Sequence, residues 1–308
     1  MLLKVNSGEV RVPDIVLIGA AKSGTTSVAH QLRMHPQVYL PVAKKEPHYF
    51  AFADKPPEYS DASFARTIVW RWKDYTALYQ GARADQHVAD CSTSYLYRHG
   101  IAIAHLQRIY GDRAAELRIS CVLRDPVERA YSHWLYLVRN GYEQLPFEQA
   151  IAPENIALRR AQRWGFDYRQ YGLYAEAVQA FKAVFPHIRV FLFEDLKNPQ
   201  RMWDELCAFN GLDLSQVQDV QANPGGVPKS KWLVHMLRRG KFLRKLSHLA
   251  PDRLRGMLRS GRDSMMKQAL DRPEMPAAAR AELNAFYRAD VDRLSVIIGR
   301  DLSRWCSK

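Results

Sequence analysis

Short apolar runs rich in β-branched residues alternate along the chain with longer segments whose apolar positions recur at helical spacing. Four runs stand out: DIVLIGA at 14–20, HVADC at 87–91, RISCVLR at 118–124 and IRVFLFE at 188–194. The runs have strand length, and the segments between them are long enough to cross over as helices. This order predicts an α/β fold of three layers, α/β/α, with a central parallel sheet.

Helix boundaries are written in the same sequence. Asp125-Pro126 supplies an N-cap and a first-turn proline before VERAYSHWLYLVR, and Asn140-Gly141 supplies turn chemistry after it. Asn198-Pro199 repeats the device before QRMWDELCAFN, which Gly211 closes. Near the end, PAAARAELNAFYRADVDRLSVIIG reads as a long amphipathic helix over about 276–299 that packs back on the body. The 308 residues then form one domain, 1–308, with a basic helical insertion at about 229–275.

Composition adds little to this picture, but charge adds a feature. With 47% hydrophobic and 25% charged residues the chain is an ordinary globular one, yet its net charge is +13. Between 229 and 262 eleven lysines and arginines face Asp252 alone. Such a block suits either a solvated helical face or an anionic partner: a polyanionic substrate, an acidic membrane surface or nucleic acid. No apolar stretch approaches the roughly 20 residues of a membrane span, and MLLKVNSGEV lacks the apolar core of a signal peptide. A cytoplasmic protein is expected, and Cys91, Cys121, Cys207 and Cys306, without C-x-x-C spacing, are expected to be reduced. No histidine or cysteine spacing suggests a metal site.

The first apolar run leads into IGAAKSGTTSVAHQL, where Gly19 and Gly24 keep the G-x-x-x-x-G spacing of a phosphate-binding loop. A nucleotide-hydrolysing loop has lysine directly after the second glycine; Thr25 stands there, and the lysine is Lys22. Backbone amides at the helix start and the hydroxyls of Ser23, Thr25 and Thr26 still suit a phosphate, with Lys22 approaching from another side. Arg124, ending the third strand, and Ser132, about two turns along the next helix, form a second anion-binding pair. A surface pairing of Arg124 with Glu128 is the structural alternative. In KKEPHYF, Glu46 has the chemistry of a general base and His48 that of a partner which orients it or shares its proton.

Together GAAKSGTTSVAHQLRMHPQVYLPVAKKEPHYF and VLRDPVERAYSHW closely resemble the sulfotransferases that use 3′-phosphoadenosine 5′-phosphosulfate (PAPS), especially the bacterial and carbohydrate branches. DCSTSYLYR, FLFEDLKNPQRMWDELCAFNGLD and LSVIIGRDLSRW also look like family segments, so the resemblance spans nearly the whole chain. It implies a P-loop, nucleotide-kinase-like sulfotransferase fold. By it, Lys22, Ser23, Gly24, Thr25 and Thr26 hold the 5′-phosphosulfate, and Arg124 with Ser132 holds the 3′-phosphate. The late loop containing Val227, Lys229 and Ser230 closes over the donor. Glu46 matches the base of the glycosaminoglycan branch, with His48 its neighbour and rival. Cys91 stands where that branch often has lysine.

The reaction implied is metal-free transfer of a sulfuryl group to a hydroxyl, or to an amine, of a saccharide, a glycolipid or another small metabolite. The basic stretch would recruit an acidic saccharide or the inner face of an acidic membrane; no nucleic acid is expected. Two other readings stay open: a magnesium-dependent P-loop kinase using Asp125, and a noncatalytic polyanion- or membrane-binding protein built on 229–262.

Overall fold

In the computed structural model, residues 1–5, 8–218, 227–228, 270–271 and 273–307 are described. The basic stretch 229–262, most of the expected insertion, and Lys229 and Ser230 lie outside them. An antiparallel hairpin, β1 (Leu2–Val5) with β2 (Gly8–Arg11), precedes the main sheet. The sheet contains β3 (Ile15–Leu17), β4 (Val38–Tyr39), β5 (His87–Asp90), β6 (Arg118–Leu123) and β7 (Ile188–Leu192). Every pairing is parallel, in the order β4-β5-β3-β6-β7. A minimal antiparallel pair, β8 (Val227–Pro228) and β9 (Leu270–Asp271), lies apart from it.

The four apolar runs therefore become neighbouring strands, while β4 and the hairpin go beyond the sequence reading. β4 is too short to carry a periodic signal. It exists because Val38 and Tyr39 pair with His87 and Val88 of β5.

Alternation within the strands divides the core. Val16 and Ile18 join Ile119, Cys121 and Leu123 on one face of the sheet, whereas Ile15 and Leu17 join Val122 and Phe191 on the other. Helix α1 (Thr25–Met34) covers the second face through Val28, Ala29 and Leu32. Other helices are α2 (His99–Tyr110), α3 (Pro126–Arg139), α4 (Ala175–Val184), α5 (Pro199–Asn210) and α6 (Ala277–Ile298). On the second face α5 joins α1 through Met202, Trp203, Leu206 and Cys207; α2, α3, α4 and α6 contribute to the first. Both faces of the parallel sheet are covered, giving the three layers.

Capping follows the local chemistry. Asp125 Oδ1 accepts from the amides of Val127 (2.9 Å) and Glu128 (3.3 Å), and Pro126 begins α3. Asn198 caps α5 through the amide of Arg201, and Gly211 ends that helix with φ +66°. Gly299 ends α6 in the same left-handed conformation. Among the described residues no helix is long and apolar enough to cross a membrane. All four cysteines are buried and free.

Candidate active site

The carboxyl ends of all five parallel strands feed one cleft of about 790 Å³. Ligands of doubly wound sheets collect at such an edge, where crossovers on opposite sides of a strand separate the loops. Here β3 leads into the loop before α1, and the chain leaving β4 reaches Glu46 and His48. β5 leads to Thr93, β6 to Arg124, and β7 to Phe193 and Leu196; residues from each of these segments line the cleft.

The loop after β3 is tightly built. Lys22 has φ +71° and Gly24 φ +91°, and Gly24 occupies the N-cap position of α1 without a side-chain cap. A Cβ on Gly24 would push the Leu196 side chain aside, and the left-handed φ itself favours glycine. The first amides of α1 have no carbonyl four residues earlier within the helix to bond, and no acidic side chain stands in the first turn. Ser23 is fully buried and its Oγ lacks a hydrogen-bond partner. This orphaned hydroxyl and the uncapped helix start fit an anion, in particular a phosphate.

Lys22 Nζ lies over the Tyr136 ring, 4.3 Å from its centroid. Burial, and then the neighbouring Arg139 and Arg124, lower its pKa to about 8, with Glu46 opposing the shift. An added anion would restore the charged form. Arg124 Nη1 donates to the Lys22 carbonyl at 3.2 Å, and its guanidinium stacks 4.6 Å from the Phe193 ring centre. Its Nη2 is 3.8 Å from Glu128 Oε2, the pairing raised as an alternative from the sequence, although Glu128 also binds Arg280 at 2.8 Å. Arg124 and Ser132 both face the same cleft as the loop. Only the backbone of Val227 is described; its strand lies beside α3, the helix carrying Ser132.

At the other side of Lys22 stand Glu46 and His48. Glu46 Oε1 accepts from Lys45 Nζ at 2.9 Å, and Oε2 accepts from Thr93 Oγ1 at 2.7 Å. Burial would raise the carboxyl's pKa, but Lys45 and these hydrogen bonds outweigh it and hold the group below its ordinary value. His48 has φ +63°; its Nδ1 is 2.9 Å from Ser94 Oγ and its Nε2 3.9 Å from Glu46 Oε2. Burial lowers its pKa to about 4, so the imidazole is neutral near pH 7. Trp164 meets the ring edge-on, with centroids 5.0 Å apart.

Cys91 is buried at the end of β5, and burial pushes its thiol up to about 12. Asp125 is occupied as a helix cap, and its Oδ2 also accepts from the Cys306 amide at 3.3 Å. Several cleft residues escape the sequence reading: Phe64, Thr93, Tyr136, Arg139, Arg163 and Trp164. Arg163 ion-pairs with Asp61 and stacks 3.9 Å from the Tyr142 ring centre. The spacing of Tyr136 from Ser132, one helical turn, places both on one face of α3 and could have suggested it.

No family model matches the chain. It is 23% identical over 301 residues to heparan sulfate glucosamine 3-O-sulfotransferase 6 of Mus musculus, covering 96% of this chain and 74% of that protein. It is 26% identical over 193 residues to heparan sulfate glucosamine 3-O-sulfotransferase 3A1 of Homo sapiens, covering 63% of this chain and 42% of that one. The chain thus spans less than half the length of the second relative. A crystal structure of a sulfotransferase from Alicyclobacillus acidocaldarius superimposes with a TM-score of 0.70 at 29% identity, covering 96% of this chain and 99% of that one. The chain thus shares its fold with a solved sulfotransferase, and the curated relatives to which it is similar are sulfotransferases.

Proposed function

We propose that the chain transfers a sulfuryl group from PAPS to a hydroxyl of a saccharide acceptor. The observation that carries this reading is the meeting, in one cleft, of an uncapped helix start, the cations Lys22 and Arg124, and the carboxylate of Glu46, with the orphaned Ser23 hydroxyl buried in the loop behind it. When bound, the donor supplies a sulfuryl group attached through oxygen to a phosphate leaving group.

Within this reading the amides of residues 22–26 and the hydroxyls of Ser23, Thr25 and Thr26 hold the 5′-phosphate. Arg124 and Ser132 hold the 3′-phosphate, Arg124 with a planar fork kept in place by Phe193. Glu46 takes the acceptor proton as the new S–O bond forms, and Lys22 neutralises the charge left on the bridging oxygen as the old one breaks. The products are a sulfate ester and 3′-phosphoadenosine 5′-phosphate. His48, neutral and fixed by Ser94, stands beside Glu46 as its rival for the proton.

The saccharide acceptor is supported by the names of the relatives and by a cleft wall in which the side chains of Phe64, Trp164 and Tyr142 lie beside the hydroxyls of Ser63 and Thr67. Calorimetry with 3′-phosphoadenosine 5′-phosphate, and transfer from PAPS to heparan sulfate, test the proposal. Binding that weakens in Arg124→Ala, with transfer lost in Glu46→Gln, supports it; no binding to the folded wild type overturns it.

A further inference from the structure

Both oxygens of Glu46 are occupied, but by partners of different rigidity. Lys45 reaches Oε1 from a partly exposed side chain next in sequence. Thr93, three residues beyond β5 and 47 from Glu46, reaches Oε2 from a buried position, with its hydroxyl at 2.7 Å and its amide at 3.5 Å.

The backbone around Thr93 is held on both sides. Before it, Ser92 Oγ donates to the fully buried Asp90 at 2.6 Å and accepts the His48 amide at 2.9 Å. Asp90 in turn accepts from Tyr75 at 2.8 Å and Tyr95 at 2.7 Å. After it, the Leu96 amide donates to the Ile18 carbonyl at 2.9 Å, joining this segment to the loop strand. A hydroxyl carried on such a backbone can meet the carboxylate in one place only.

We propose that Thr93 is a positioning residue for the transfer reaction: its hydroxyl fixes the orientation of the Glu46 carboxylate and sets that group's proton affinity. The proposal rests on the reading of Glu46 as the base. Donation to the ionised carboxylate favours the charged form, so removing the donor makes Glu46 bind its proton more tightly. Lys45, His48, Lys22 from the loop, Tyr136 from α3, Tyr171 and Cys91 also face Glu46. Of these only His48 would ordinarily titrate near neutral pH; burial lowers its pKa to about 4, so a His48→Asn background keeps its titration apart from that of Glu46.

The test is a carboxyl carbon-13 NMR titration of protein labelled at glutamate, with Glu46→Gln identifying the resonance. In Thr93→Val, which keeps the shape and loses the donor, the Glu46 titration moves up by about one pH unit. Thr93→Ser keeps the hydroxyl and returns it to the wild-type position. A Thr93→Val protein whose Glu46 titrates as in wild type overturns the proposal.

The rate of transfer from PAPS to heparan sulfate provides the second readout. Thr93→Val moves the acid limb of kcat upward in pH and lowers its plateau, leaving the KM for PAPS unchanged. If Glu46→Gln keeps full activity while the NMR shift is present, the base assignment fails and the link from Thr93 to Glu46 stands. If the titration does not move, the proposal falls whatever the rates.

Discussion

The ammonium of Lys22 rests on the ring of Tyr136, 4.3 Å from its centroid, in a loop whose neighbouring cations are Arg124 and Arg139. A lysine that is partly buried among like charges holds its proton weakly, here with a pKa of about 8. Anion binding beside it restores a firm hold. At about pH 8.5, calorimetry of 3′-phosphoadenosine 5′-phosphate in buffers of different ionisation enthalpy should therefore detect uptake of most of one proton. Lys22→Met should abolish that uptake.

The same depressed pKa has a consequence for stability. Above about pH 8 the folded chain releases the Lys22 proton, while the unfolded chain keeps it until the ordinary value of 10.5, so this group's contribution to stability rises with pH across that window. Below it, the fold bears the cost of a buried charge. Lys22→Met should then stabilise the protein at pH 7 by about 1–2 kcal/mol after allowing for the lost contact with Tyr136, while weakening donor binding. Denaturant unfolding at pH 7 and 10 measures both the gain and its disappearance.

Arg124→Ala should weaken 3′-phosphoadenosine 5′-phosphate about 100-fold, the scale of one charge-assisted fork to phosphate. Adenosine 5′-phosphosulfate, which lacks the 3′-phosphate, should bind the variant and the wild type alike. Competition binding with the two nucleotides separates loss of that contact from general damage.

Glu46→Gln should lower kcat by about 10²- to 10⁴-fold with little change in donor affinity. Because His48 titrates near 4 and Glu46 lies below its ordinary value, neither changes charge between about pH 5.5 and 7, and kcat/KM should show no histidine-like inflection there. An inflection near 6.5 that vanishes in His48→Asn would transfer the role of base to His48.

Asp90 is the buried acceptor for two tyrosines and Ser92, and burial lifts its pKa to about 6. A group whose folded pKa is raised contributes stability fully at low pH and loses it as pH rises through that value. Asp90→Ala should cost about 2–4 kcal/mol in denaturant unfolding at pH 5, because three hydroxyls lose their acceptor in the core.

Much of this architecture can be read from local chemistry. The spacing of Gly19 and Gly24, the proline and asparagine caps, and the apolar runs of β3, β5, β6 and β7 each act within a few residues of themselves. Lys22, Arg124 and Glu46 stand out in the sequence by their own chemistry and come to one cleft, while the roles given to them are what the resemblance implies. Trp164, Arg163 and Thr93 reach the cleft only through folding across long stretches of chain, and an aromatic or a threonine at those places is locally an ordinary core residue. The β4 strand is invisible for a different reason: two residues contain no period, and its existence depends on the partner strand.

The backbone bond from Leu96 to Ile18 ties the phosphate loop and the Thr93 segment to adjacent strands of one sheet. The pitch of that sheet, about 4.8 Å between neighbours, is a constant of peptide geometry rather than of side-chain choice. The span from the Lys22 loop to the Thr93 hydroxyl is therefore ruled off by the scaffold itself. The cleft wall formed by Phe64, Tyr142 and Trp164 hangs on separate connections, and it meets this ruled spacing where Trp164 touches His48.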